Sequence, residues 1–149
     1  MADETNKLRV RLVTPERTLF EHPVDAVELP AKNGYMEVLY GHAPLLTELG
    51  AGDVTLHGGP KSESDGESSG IQRYNVSWGF AEVLPDRVTI LASDALKPEE
   101  IDLPRAHTQL DRGNKMWNEA GDSEEAYTEA LRVINEAEAK LASAATAKH

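Results

Sequence analysis

Cysteine is absent from the 149-residue chain. That excludes a disulfide framework and thiolate metal sites, and suits a reducing compartment. Aromatic residues are scarce, 5% against 40% hydrophobic overall, so the core has to be aliphatic and modest in size. No apolar run approaches the ~18 residues that a membrane span needs. Met1 to Lys7 is polar, so neither a span nor a secretory leader is expected. Positive charge is also short: 15 Lys and Arg against 26 Asp and Glu leave a net charge of −11. Such a chain is a poor partner for nucleic acid or an anionic lipid surface. The deficit is shared, −7 over residues 1–96 and −4 over residues 97–149, and reads as a solubilising surface rather than an acidic tail.

Catalytic patterns are missing too. The five histidines, His22, His42, His57, His107 and His149, show no H-E-x-x-H or comparable ligand spacing, so no metal site is expected. Asn75-Val76-Ser77-Trp78-Gly79 lacks the first glycine of a nucleophile elbow, and no glycine-rich loop precedes a Lys-Ser/Thr pair. The chain reads as a non-enzyme.

What is present from Leu8 to Ala92 is a series of short strands. Leu8, Val10 and Leu12 alternate with Arg9 and Arg11; Val27 and Leu29 flank Glu28; Val54 and Leu56 flank Thr55. Ile71 to Ser77 alternates again, with Tyr74 and Val76 on one face and Arg73 and Asn75 on the other. Val83-Leu84 and Val88 to Leu91 are separated by Pro85-Asp86, a good central pair for a type I turn. Short strands with turn signals at this density and no intervening helix predict a β-sandwich or flattened barrel. One segment, His57 to Gly70, has four Gly, four Ser and no apolar residue. It predicts a mobile insertion at a hairpin tip.

The stretch from Pro30 to Leu49 is the unusual one. Asn33-Gly34 supplies a hairpin turn with two φ > 0 residues. Tyr35 to Leu39 is long enough for a strand, and Gly41 and Pro44 bracket His42 and Ala43 in a segment that is neither helix nor central strand. Leu45, Leu46 and Leu49 are expected to return to the core. A rigid, partly apolar loop carrying a histidine points to a contact surface.

After Ala92 the period changes. Asp102 is placed to cap a helix whose first turn tolerates Pro104, and Leu103, Ala106, Leu110, Gly113 and Trp117 recur at spacings of three and four. Asp122 with Glu125 suggests the cap of a second helix, carrying Tyr127, Ala130, Ile134, Ala137 and Leu141. Two matched narrow seams predict an antiparallel helical hairpin that buries little and can detach. The expected organisation is a β domain over residues 1–96 and a helical hairpin over 97–149, mainly β plus α.

These motifs together resemble the epsilon subunit of F-type ATP synthases. The resemblance runs through V-T-P-E-R-T-L-F-E (Val13 to Glu21), V-D-A-V-E-L-P (Val24 to Pro30), G-H-A-P-L-L-T (Gly41 to Thr47), V-S-W-G-F-A-E-V-L-P-D-R-V-T-I-L-A (Val76 to Ala92) and I-D-L-P-R-A (Ile101 to Ala106). Glu37 and Trp78 stand where Gly is common in the family, and Tyr40 where Pro is common. The resemblance implies a non-catalytic central-stalk subunit, held to gamma by one face of its sandwich and coupling c-ring rotation to ATP synthesis. The contact segment would comprise Tyr35, Met36, Glu37, Val38, Tyr40, Gly41 and His42, resting on the c-ring. The helices would fold on the sandwich or extend toward the alpha/beta catalytic head and inhibit ATP hydrolysis. The implied location is peripheral, on the cytoplasmic face of the bacterial cell membrane, with membrane contact only through the complex. Asp102, Arg105, Arg112 and Arg132 match a site at which some members bind ATP, so a weak regulatory ATP is the one small molecule implied and no other cofactor is. Glu136 and Leu96 depart from that site: a carboxylate there repels a phosphate. Two other readings fit a β domain with a helical appendage: a stand-alone ligand-binding module and an ATP sensor outside any synthase.

Overall fold

The computed structural model describes residues 6–59 and 70–147, in two compact units, Met1–Ala95 and Leu96–His149. The first unit is built from seven strands: β1 (Leu8–Val13), β2 (Thr18–Val24), β3 (Ala26–Ala31), β4 (Gly34–Leu39), β5 (Leu45–His57), β6 (Ile71–Leu84) and β7 (Arg87–Leu96). Their order across the sheet is β2-β1-β7-β6-β5-β3-β4. β1 is parallel to β7 and antiparallel to β2. The expected β-sandwich is borne out. Its core is aliphatic, as the scarcity of aromatics requires: Leu8, Leu12, Val27, Leu29, Val38, Leu56, Val76 and Ile90 are fully or almost fully buried, and Phe20 and Tyr74 are the buried rings.

One sheet becomes a sandwich because its two longest strands bend at the same level. On the β3 side, Glu28 faces Thr55 and Ala31 faces Leu49, so Leu29 and Pro30 stand opposite Gly50 to Val54. Pro30 has no N–H to give to the ladder. On β6, Trp78 (φ 54) and Gly79 (φ 136) both have positive φ. Leu49 pairs with Gly79 and Ala51 with Ser77, so the two bends lie side by side. At Gly79 only glycine fits: a Cβ would fall 1.9 Å from the Leu91 carbonyl oxygen. Trp78 occupies a left-handed conformation that costs a non-glycine residue about 1–2 kcal/mol.

Several local expectations need correction. The β3–β4 turn is Lys32-Asn33, since Ala31 pairs with Gly34, and of Asn33 and Gly34 only Gly34 has positive φ. β6 is one strand through Trp78, where two shorter ones were expected. β2, an edge strand with Pro23 in its length, has no period-two signal to announce it. Asn75 is buried rather than outward-facing, its amide donating to Asp53 Oδ1 at 3.3 Å and the Gly52 carbonyl at 3.5 Å. Of the segment expected to be mobile, 60–69 lie outside the described residues. His57 is the last residue of β5, and Gly58 N–H donates to the Gly70 carbonyl at 2.7 Å.

The second unit holds a 3-10 turn (Pro98–Glu100) and two helices, α1 (Leu103–Glu119) and α2 (Glu124–Ala147). Asp102 caps α1 by accepting from Arg105 N–H at 3.1 Å, with Pro104 in the first turn. The cap of α2 is Ser123, whose Oγ accepts from Ala126 N–H at 3.2 Å, one residue beyond the expected Asp122. The buried line of α1 is Ala106, Gly113 and Ala120; that of α2 is Ala130, Ala137 and Ala144, with Val133. Each small residue recurs every seven positions, the repeat that keeps a seam facing its partner. A Cβ on Gly113 would lie 2.7 Å from Ile134 Cγ1. Because the backbones come this close, Leu110, Ile134 and Leu141 are pushed to half-buried flanks instead of forming the seam's centre. Trp117 and Tyr127 close one end edge-to-face, with ring centroids 4.6 Å apart.

The sheet corner is open to a direct test. Gly79→Ala should cost about 3 kcal/mol or more, because the alanine methyl meets backbone that cannot yield. Gly34→Ala, with φ 134 but open space around it, should cost about 1–2 kcal/mol. Urea midpoints measure both; equal losses would contradict the close approach at Gly79.

Candidate docking surface

The few aromatic side chains sit mostly outside the core. Tyr35, Tyr40, Phe80 and Trp117 are exposed, and only Phe20 and Tyr74 are buried. Aromatic residues on a surface are the usual anchors of protein interfaces. In the first unit Tyr40 gathers with exposed leucines along the end of β4, the loop after it and the start of β5, namely Leu39, Leu45 and Leu46, the last 69% exposed, while Tyr35 stands at the start of β4. Phe80 lies on β6, opposite Glu48 on β5 and on the same side of that ladder as Leu46. Leu45 and Leu46 were expected in the core. Neighbouring strand residues face opposite ways, so at most one of them could point inward; at the strand's first residues neither is covered, and only Leu49 is buried.

The residues expected in the contact segment divide by burial. Tyr35, Glu37, Tyr40 and Gly41 are exposed, His42 is half-buried, and Met36 packs partly against the core. Val38 is fully buried, a core residue that the exposed surface passes over. Leu39, Leu45, Leu46 and Phe80 add contact area that the motif did not identify.

Both ends of the segment are tied to other strands. At its start the Tyr35 hydroxyl accepts from Asp53 N–H at 3.1 Å. At its end Gly41 N–H donates to the Pro85 carbonyl at 2.7 Å, and His42 N–H to the Leu39 carbonyl at 3.2 Å. His42 Nδ1 lies 2.7 Å from the Ala43 carbonyl; donation from Nδ1 leaves Nε2 as the acceptor of the neutral ring. Around this apolar strip the charges are paired or opposed in detail. Lys32 pairs with Glu48 at 3.0 Å and His57 lies 3.6 Å from Glu28. Glu28 and Glu37 face each other across β3 and β4, a like-charge pair that strands normally avoid. Among the described residues no cluster of His, Asp and Glu could hold a metal ion.

The four residues matched to a nucleotide site are spread over the hairpin. The Asp102 carboxylate is engaged as the α1 cap. Arg105 and Arg112 are exposed and seven positions apart, about 10 Å along the helix. Arg132 is two residues beyond the seam residue Ala130, about 200° round α2 and so turned away from α1. Glu136 is paired with Lys140 at 3.0 Å.

Comparison with known proteins supplies the family. Residues 7–98 match the model described as ATP synthase, Delta/Epsilon chain, beta-sandwich domain. The chain is 42% identical over 139 residues to the ATP synthase epsilon chain of Solibacter usitatus, covering 92% of this chain and 95% of that one. It is 33% identical over 147 residues to the chloroplastic epsilon chain of Porphyra purpurea, covering 94% and 97%. In fold it resembles a chain of the Euglena gracilis mitochondrial ATP synthase (OSCP/F1/c-ring), with a TM-score of 0.74, 21% identity, and coverage of 99% of this chain and 85% of that one.

Proposed function

The chain belongs to the family of ATP synthase epsilon chains, and from that membership we propose how its two units serve the enzyme. It is a non-catalytic subunit of the central stalk of a rotary ATP synthase, and its partners are the gamma subunit, the c-ring and the alpha/beta catalytic head. Among the described residues no helix is long and apolar enough to cross a membrane; association with the membrane runs through the complex. We place it on the cytoplasmic face of a bacterial membrane, a reading that its bacterial relatives support.

The observation that carries the functional reading is the exposed strip from Tyr35 to Leu46, apolar, aromatic, and tied at both ends to the sheet. A surface of this kind is paid for in solubility unless a partner covers it. It serves as the foot of the subunit on the c-ring, and the sandwich as the body that gamma holds. Fixed ends suit a coupling element, because force applied to the strip passes into β5 and the β6–β7 turn instead of bending a free loop.

The helical unit supplies regulation. A switch between a docked and an extended arrangement needs two states separated by only a few kcal/mol, and the unit's seam of Ala and Gly, which buries little apolar area per turn, favours that. The sandwich does not need it for a core: every member of the main core cluster lies between Leu8 and Ala95. A chain ending at Lys97 should therefore stay folded, join the complex and leave ATP hydrolysis faster than with the full chain, measured as steady-state turnover of the assembled enzyme. Unfolding of the truncated chain would make the hairpin a buttress. Unchanged hydrolysis in a fully assembled complex would make the subunit a passive coupler.

ATP binding at the hairpin is weak in this reading. Asp102 is used as a cap, Arg132 faces away from α1, Glu136 stands where ATP-binding members carry an arginine and would repel a phosphate, and Leu96 replaces an acidic residue of that site. Calorimetry should give a Kd above ~1 mM, less than about 4 kcal/mol of binding. A micromolar Kd would contradict this and make the hairpin an ATP-gated switch.

A further inference from the structure

We propose that Tyr35 is a positioning residue: its phenol ties edge strand β4 to the bend in β5 and so holds the docking strip in place. Three residue types converge on this tie. Pro30, which pairs with Tyr35 across β3 and β4, cannot donate to a ladder, and the β3–β5 pairing is interrupted at its level. The Asp53 N–H, left without a carbonyl on β3, donates instead to Tyr35 Oη at 3.1 Å. The ring reaches that far only because residue 52 is glycine: a Cβ there would lie 2.4 Å from Tyr35 Oη and 2.8 Å from Pro30 Cβ. From the other side the Asn75 amide holds the same two residues, through Asp53 Oδ1 and the Gly52 carbonyl. The bend is thus held from two sides, by the Asn75 side chain of the neighbouring β6 and, across β3, by the Tyr35 side chain of β4.

The tie matters because of where β4 lies. It is an edge strand, hydrogen-bonded along its length to β3 alone. Without the Tyr35 phenol, the strip from Tyr35 to Leu46 keeps the β3–β4 ladder and its anchor at Pro85 but loses its tie to the β5 bend. Tyr35 is 65% exposed, so its ring can still touch a partner, but its hydroxyl is already engaged. Phenylalanine keeps the ring and loses the tie.

The coupling role of the tie rests on the reading of the strip as the foot on the c-ring; the tie itself does not. In the isolated full-length chain, Tyr35→Phe should speed hydrogen exchange at the Asp53 amide about tenfold, the loss of one hydrogen bond. Gly52→Ala should do the same by displacing the ring. The double variant should exchange no faster than Gly52→Ala alone, since the two substitutions remove one interaction. In the assembled, membrane-reconstituted enzyme, Tyr35→Phe should lower ATP-driven proton pumping per ATP hydrolysed. Unchanged exchange at Asp53, or additive effects in the double variant, would overturn the tie. Faster exchange with full pumping would overturn the positioning role, and failure to assemble would show that the hydroxyl meets a partner instead. Leu39→Ser with Leu46→Ser tests the strip separately: full pumping there would remove the docking reading whatever Tyr35→Phe does.

Discussion

The close approach of Gly79 to the Leu91 carbonyl sets the geometry of the first unit. Because β6 can pass β7 without a side chain at that point, it changes direction in the middle of a fourteen-residue strand. β5 bends beside it through Gly50 to Asp53, and the sheet folds over an aliphatic core. The same corner leaves Pro30 without a partner on β5 and brings Tyr35 onto Gly52. The docking strip is therefore a consequence of the corner: β4 is carried outward by the bend, and its far end reaches the β6–β7 turn at Pro85. Trp78, next to the glycine, holds a strained φ of 54, in a position where a glycine would relax.

The two units solve opposite problems with small residues. In the sandwich, glycine admits a backbone turn and the core beside it is large and aliphatic. In the hairpin, Ala106, Gly113 and Ala120 face Ala130, Ala137 and Ala144, and smallness brings two helix backbones together. Close packing gives the hairpin a defined shape, yet small side chains contribute little burial, about 0.8 kcal/mol per buried methylene. The hairpin thus keeps a defined shape with little buried area, while the sandwich carries a self-contained core.

Much of this was legible in the sequence, and the failures have local causes. Period-two alternation located β1, which buries one face, and also β3 and most of β6, although those strands bury residues on both faces, Asn75 among them. β2 escaped notice since its edge position and Pro23 leave it no such alternation. The helix seam is legible, Ala106, Gly113, Ala130 and Ala137 included; Leu110 and Ile134, which share the spacing of three and four, lie on its half-buried flanks because the spacing of seven at Ala and Gly decides which residues face inward. Leu45 and Leu46 were taken for core on hydrophobicity, although strand geometry forbids two adjacent inward residues. The contact strip was recognised from turn chemistry around Gly41 and Pro44. Its anchoring was not, because hydrogen bonds such as Asp53 to Tyr35 join residues eighteen apart through a bend that no local pattern announces.

Membership in the stalk is the claim on which every functional statement depends, and physical association tests it most directly. The purified chain, mixed with its cognate gamma subunit at micromolar concentration and passed over a size-exclusion column, should elute with gamma as a single complex. Two separate peaks would contradict the account.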